Sequence, residues 1–150
     1  MCSSGITDQK NCAFGCNISV SKGETVGIIG GTGSGKSTLV NLIPRFYDAS
    51  EGRVLFDGAD VKEYPMEKLR GKIGIVPQKA TLFRGTIRAN IQWGKQDATD
   101  EEIYEALEIA QAKEFVQEKP KALDTMISQG GKNLSGGQRQ RLTIARALVR

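Results

Sequence analysis

Three observations predict an α/β fold. Residues 25–30, "TVGIIG", form a short apolar run that reads as a buried strand, and a glycine-rich loop carries it into "KSTLVNLIPRFY", which begins as a helix. Residues 72–78, "KIGIVPQ", repeat the buried-strand pattern and are ended by Pro77. After about residue 97 the pattern turns helical.

The elements follow in order. Residues 1–13 show no usable period. Cys16, Ile18 and Val20 then alternate with polar neighbours, the mark of a half-buried strand that would put Cys16 in the core. Residues 21–24, "SKGE", make a turn into the strand at 25–30. The helix opening at Lys36 must end or kink near Pro44, because proline lacks the amide a helix interior needs. Residues 52–58, "GRVLFDG", read as a strand closing in an Asp-Gly turn. Residues 65–72 are a short helix with Pro65 in its first turn. Residues 98–118 read as one helix, with Ile103, Leu107, Ala110 and Phe115 near helical spacing, acids in the first turn, and Thr99 or Asp100 as cap. That apolar stripe is accounted for by core packing. The loop "QGGKNLSGG" leads to a last, basic helix ending at Arg150.

Composition narrows the partners. The 150 residues are 39% apolar and 25% charged, which suits one globular domain with a modest core. There is no apolar run of the ~18 residues that a spanning helix needs, and no secretory signal. The net charge of +4 comes from scattered side chains, so it favours a solvated surface with an anion site over a nucleic-acid stripe. Cys2, Cys12 and Cys16 match no zinc spacing and there is no histidine, so the thiols read as reduced cytosolic thiols rather than metal ligands.

Chemistry concentrates in two places. Gly30, Gly31, Thr32, Gly33, Ser34, Gly35, Lys36 and Ser37 fit the pattern G-x-x-x-x-G-K-[ST] between a predicted strand and a predicted helix. A polyphosphate needs many N–H donors at close range. Glycines turn successive amides inward and hold no side chain against the ligand. The helix start adds its positive end. Lys36 can reach the β- and γ-phosphates, and the Ser37 hydroxyl can ligate Mg²⁺. The dinucleotide fingerprint G-x-G-x-x-G fails, because Lys36 stands where it needs a glycine. The second place is "LSGGQ", residues 134–138. Ser135 offers a hydroxyl, and Gly136 and Gly137 expose amides at a helix start, a second anion site or a simple cap.

Taken together the motifs resemble the nucleotide-binding domain of ABC transporters. "GGTGSGKST" looks like Walker A, "VPQ" like the Q-loop and "LSGGQ" like the signature, in the family's order, and the resemblance runs from about residue 17 to 150. "LIPRFYD", "PQKATLFRGTIRANI" and "LSGGQRQRLTIARALVR" resemble its exporter branch, such as multidrug and lipid exporters. The resemblance implies a P-loop NTPase with a RecA-like core, an antiparallel β subdomain around residues 15–28 and 52–58, and an α-helical subdomain. The chain would divide into a Walker A and Q-loop part at 1–81, a helical subdomain at 82–136 and the signature helix at 137–150.

The same resemblance implies roles. Lys36, Ser37 and the Walker A amides would hold ATP and Mg²⁺, with Thr38 near the α-phosphate. Gln78 would approach Mg²⁺ and the attacking water. Ser135, Gly136, Gly137 and Gln138 would face the γ-phosphate of ATP bound by a second nucleotide-binding domain in a head-to-tail dimer. Residues 82–91 would face an exporter's transmembrane domain, which places the domain at the cytoplasmic face of the cell membrane. No nucleic acid is expected, and Arg139, Arg141, Arg146 and Arg150 would solvate and pair around the last helix.

Departures bound these expectations. Walker B, the D-loop and the switch histidine of the H-loop do not occur in these 150 residues, which on this reading hold a partial domain, inactive alone. The adenine-stacking aromatic should fall near residues 3–5, where there is none, and Phe14 is the only aromatic before Phe46. Ser128-Gln129 replaces the usual Gly-Glu ahead of the signature. Two competing classes remain: a soluble ABC-type ATPase of DNA repair or chromosome organisation, which usually carries a long coiled-coil or zinc insertion absent here, and a non-catalytic nucleotide-binding remnant.

Overall fold

A computed structural model describes residues 15–150. Cys2, Cys12, Phe14 and the expected position of the adenine platform lie outside them. The chain divides into two compact units, residues 1–70 and 71–150.

In the first unit, α1 (Lys36–Leu42) begins where the glycine loop ends, and it stops with Ile43 as cap just ahead of buried Pro44. β1 (Leu55–Phe56) and β2 (Ala59–Asp60) form an antiparallel hairpin with Phe56 opposite Ala59. Its two-residue loop is Asp57-Gly58, with φ of 49° and 81°. Both positive values are what a hairpin turn matched to strand twist requires. α2 (Met66–Gly71) follows Pro65, and its Leu69 is fully buried. Arg70 donates to the Pro44 and Arg45 carbonyls, tying this helix to the end of α1.

The second unit carries the larger core. β3 (Gly85–Thr86) pairs antiparallel with β4 (Met126–Ile127). Thr86 caps α3 (Ile87–Gln92). Then come α4 (Asp100–Ile109), α5 (Lys113–Gln117) and α6 (Gly136–Leu148). α6 packs on α3 and α4 around Ile87, Ile91, Ile103, Leu107 and Leu142, none of which is exposed. Buried Asn90 is fully engaged: its amide accepts from the Phe83 N–H and donates to the Phe83 and Thr86 carbonyls, fixing the turn into α3. Arg88 joins α3 to Asp100 of α4 and, at 3.1 Å, to Asp124. Thr99 caps α4 in a capping box with Glu102. The Lys95 ammonium, and then the Thr99 amide, hold the Glu102 carboxyl below the usual carboxylate range. The support this pairing gives the helix start is therefore present at neutral pH and is lost as pH falls through that lowered value.

Four expectations are corrected. Residues 16–20, 25–30 and 72–78 carry no strand ladder, and Cys16 is exposed rather than core. A buried strand needs neighbours to take its amides and carbonyls, and among the described residues no strand pairs with these runs. Among the described residues of this part of the chain, the antiparallel β portion is accordingly the 55–60 hairpin alone. The helix expected over 98–118 is broken in two. Gln111 takes φ 55°, its N–H donates to the Glu108 carbonyl at 2.9 Å, and the Ala112 N–H donates to the Leu107 carbonyl at 2.7 Å. These are the two bonds of a Schellman ending, usually marked by glycine. A glutamine there leaves no signal to read.

A left-handed conformation costs a non-glycine residue about 1–2 kcal/mol. Gln111→Gly is therefore expected to leave the Schellman bonds intact and to stabilise the second unit by up to about 1 kcal/mol, read as a higher urea midpoint. Gln111→Val should lower it.

Candidate phosphate site

The loop between residue 30 and α1 is built around the Lys36 side chain. Gly33 and Gly35 have φ of 81° and 83°, which L side chains rarely adopt, so glycine is required at both for the loop to curl. Lys36 Nζ donates to the Gly30 carbonyl at 2.6 Å, the Gly31 carbonyl at 2.7 Å and Ser34 Oγ at 3.2 Å. A Cβ on Gly30 would stand 2.6 Å from Ser34 Oγ, so a side chain there would push Ser34 off the lysine. Around Gly31 and Gly33 there is open space, with nothing within 4 Å of an added Cβ.

The first α-helical bond runs from the Leu39 N–H to the Gly35 carbonyl at 2.9 Å. The amides of Lys36, Ser37 and Thr38 therefore have no acceptor within the helix. They border a cavity of about 190 Å³ lined by Gly33, Ser34, Gly35, Lys36, Ser37 and Thr38. Ser37 is exposed and Thr32 lies in the exposed outer turn. A free helix start, an ammonium and open glycine backbone fit a polyphosphate. The Ser37 hydroxyl is a hard oxygen suited to Mg²⁺.

The second element is the start of α6. Ser135 Oγ accepts from the Gln138 N–H at 3.1 Å, and Gln138 Oε1 accepts from the Ser135 N–H at 3.1 Å, a complete capping box. The cap uses the hydroxyl as an acceptor, so its own proton stays available to donate. Gly136 and Gly137 are exposed, neither has positive φ, and a Cβ on Gly137 would meet nothing within 4 Å. Nothing inside the unit requires glycine at 137. A glycine in a helix costs about 1 kcal/mol relative to alanine. Beside this helix start lies a groove of about 400 Å³ whose cations are Lys79, Lys132 and Arg139.

Gln78 is exposed in a bend of the second unit. Lys36 and Ser37 belong to the first unit, and Ser135 to Gln138, like Gln78, to the second. What the sequence reading missed is how the arginines of α6, and Arg150 just past it, are used. Arg139 donates to the Gly131 and Leu134 carbonyls, Arg141 to Gln111, Arg146 to Thr81 and Arg150 to Ile73. Each fastens backbone outside α6. No periodicity could announce this, because the carbonyls lie up to 77 residues away in the sequence.

Comparison with known proteins agrees with these features. The family model described as ABC transporter matches residues 14–150. An ATP-dependent lipid A-core flippase of Chromobacterium violaceum is 49% identical over 136 residues, 91% of this chain and 23% of that protein. ABC transporter B family member 21 of Arabidopsis thaliana is 48% identical over 136 residues, 91% of this chain and 10% of that protein. The solved structure of a bacterial Atm1-family ABC exporter with ATP bound superposes with a TM-score of 0.75 at 43% identity, covering 79% of this chain and 21% of that one. The chain thus spans a quarter or less of these relatives. On these matches the chain, a P-loop NTPase, belongs to the ABC transporter family.

Proposed function

We propose that these residues are the ATP-binding part of an exporter-type ABC protein, in which ATP binding and hydrolysis drive transport through a transmembrane domain. The observation that carries this reading is the Lys36 ammonium seated in its ring of loop oxygens at the start of α1. Phosphate oxygens are stronger acceptors than the two carbonyls they would replace. Gly30 to Gly35 supply the curl and the amides of Lys36, Ser37 and Thr38 the donors; Ser37 would offer an oxygen to Mg²⁺, and by the family resemblance Gln78 would approach the same ion. The metal's contribution when bound is to neutralise charge on the phosphates.

Ser135, Gly136, Gly137 and Gln138 would receive the γ-phosphate of ATP held by a second nucleotide-binding domain, head to tail. Two glycines that the isolated unit does not need are supported as a place where another molecule comes close. The membrane domain would bind the surface that includes residues 82–91, with the domain on the cytoplasmic face. Among the described residues no helix is long and apolar enough to cross a membrane. The DNA-repair reading loses its footing, because the three arginines of α6 and Arg150 beyond it are turned to this chain's own carbonyls. We propose further that these 150 residues alone bind without turnover. Walker B, whose acids the family resemblance would have assist Mg²⁺ and polarise the attacking water, does not occur in these 150 residues, and losing one such electrostatic group commonly costs on the order of 10²–10³ in rate.

The signature reading is tested by a contrast between stability and association. Gly137→Ala is expected to stabilise α6 by about 0.5–1 kcal/mol while abolishing ATP-dependent dimerisation, read by thermal unfolding and by sedimentation with Mg-ATP. Ser135→Ala should lose both, the cap being worth about 1 kcal/mol. A Gly137→Ala chain that still dimerises with ATP would remove the signature from the site.

A further inference from the structure

Residues 73–77 carry no strand or helix and lead into the bend at Gln78, so something other than a ladder must hold this segment to its unit. The last turn of α6 and Arg150 just beyond it do. Arg146 Nη2 donates to the Thr81 carbonyl at 2.7 Å, and Arg150 Nη1 donates to the Ile73 carbonyl at 3.0 Å. Gly74 lies so close to the helix that an added Cβ would stand 2.8 Å from the Ala147 carbonyl oxygen. The two arginine contacts bracket Gln78, five residues before it and three after it, from the C-terminal end of α6 and from Arg150 just past it.

Arg146 is an expensive way to make such a contact. It is half-buried, and burial pulls its guanidinium below the usual arginine value. Its Nε is buried with no hydrogen-bond partner. The guanidinium carbon lies 5.6 Å from the centre of the Phe83 ring, which in turn stacks on Trp93 at 4.5 Å. An aliphatic residue would fill the same space without desolvating a charge. What only the cation supplies is a directed bond to the Thr81 carbonyl.

We propose that Arg146 is a positioning residue for Gln78: through the Thr81 carbonyl it fastens the Gln78 segment to the helix whose other end carries Ser135 to Gln138. α6 has 13 residues, so it spans about 20 Å. A ligand seated on its first turn and the Gln78 segment then move as one piece. This rests on the reading of Gln78 as a ligand-facing residue given above.

The test uses the full chain with Arg146→Ala, Arg146→Lys, Gly74→Ala and Gln78→Ala. Lys79 is exposed in the same segment, so tryptic cleavage after Lys79 reports release of the segment. Arg146→Ala and Gly74→Ala are each expected to speed it by about tenfold or more, while cleavage at Arg88 and Lys113, inside helices, stays at the original rate. Arg146→Lys should restore part of the protection. The second readout is the gain in ATP affinity on adding Mg²⁺. Arg146→Ala should reduce that gain as Gln78→Ala does, and the double variant should be no worse than either. Unchanged cleavage after Lys79, or effects of Arg146→Ala and Gln78→Ala that simply add, would overturn the proposal. If Gln78→Ala leaves the Mg²⁺ gain intact, the reading of Gln78 fails, and the cleavage rates still decide whether Arg146 holds the segment.

Discussion

Lys36→Ala is expected to abolish nucleotide binding, weakening Mg-ATP by about 100-fold or more. Charge-assisted hydrogen bonds are worth about 1.5–3 kcal/mol each, and the ammonium is the one full charge in the cavity lined by residues 33–38. The substitution also removes three bonds that shape the loop, to Gly30, Gly31 and Ser34. Lys36→Arg separates the two losses: it keeps the charge, but its planar fork cannot occupy the space between the Gly30 and Gly31 carbonyls in the same way. We expect it to bind weakly as well. Titration calorimetry with Mg-ATP and Mg-GTP reads both points. Comparable affinities for the two nucleotides are expected for the original chain, since recognition rests on phosphates and residues 3–5 offer no aromatic ring to the base. Equal affinity of the original chain and Lys36→Ala would move the phosphate site elsewhere. A strong preference for ATP would show that the base has a platform after all.

Features that depend on a few neighbouring residues were legible in the sequence. The start of α1 at Lys36, the Asp57-Gly58 turn, the Thr99 cap and the Ser135 cap each follow from a side chain or a glycine acting within about four residues. The phosphate loop was legible for the same reason: its chemistry is local backbone geometry. Strands were not. An apolar run such as 25–30 states what those side chains prefer, but a strand exists only where another supplies ladder partners. The same limit hid β3 and β4, two residues each, whose pairing joins Thr86 to Met126 across 40 positions. Long-range side-chain roles were equally silent. Asn90 carries no signal in the sequence, yet it is buried and holds the Phe83 turn. Arg146 reads as one more cation of a basic helix.

The same distinction sets the behaviour of the 150-residue chain in isolation. Its second unit has a continuous core running from Leu82 to Val149. The described part of the first unit buries Val61 and Leu69 among its apolar side chains and leaves Ile18, Val20, Val26, Ile28 and Ile29 exposed, Ile29 to 98%. These five lie close together along two runs with no ladder, so they offer apolar side chains and open backbone together. That combination invites pairing between chains. We therefore expect the isolated chain to self-associate through residues 16–30 and to unfold in two stages, the second unit last. In hydrogen exchange, amides of α4 and α6 should be protected, and amides of 16–30 should exchange freely in monomer and gain protection as association proceeds. Ile28→Thr with Ile29→Lys should restore a monomer on size exclusion without shifting the second unit's transition, because neither residue belongs to its core. A monodisperse original chain with one sharp transition would mean that residues 16–30 find ladder partners within the chain, and that the two units fold as one.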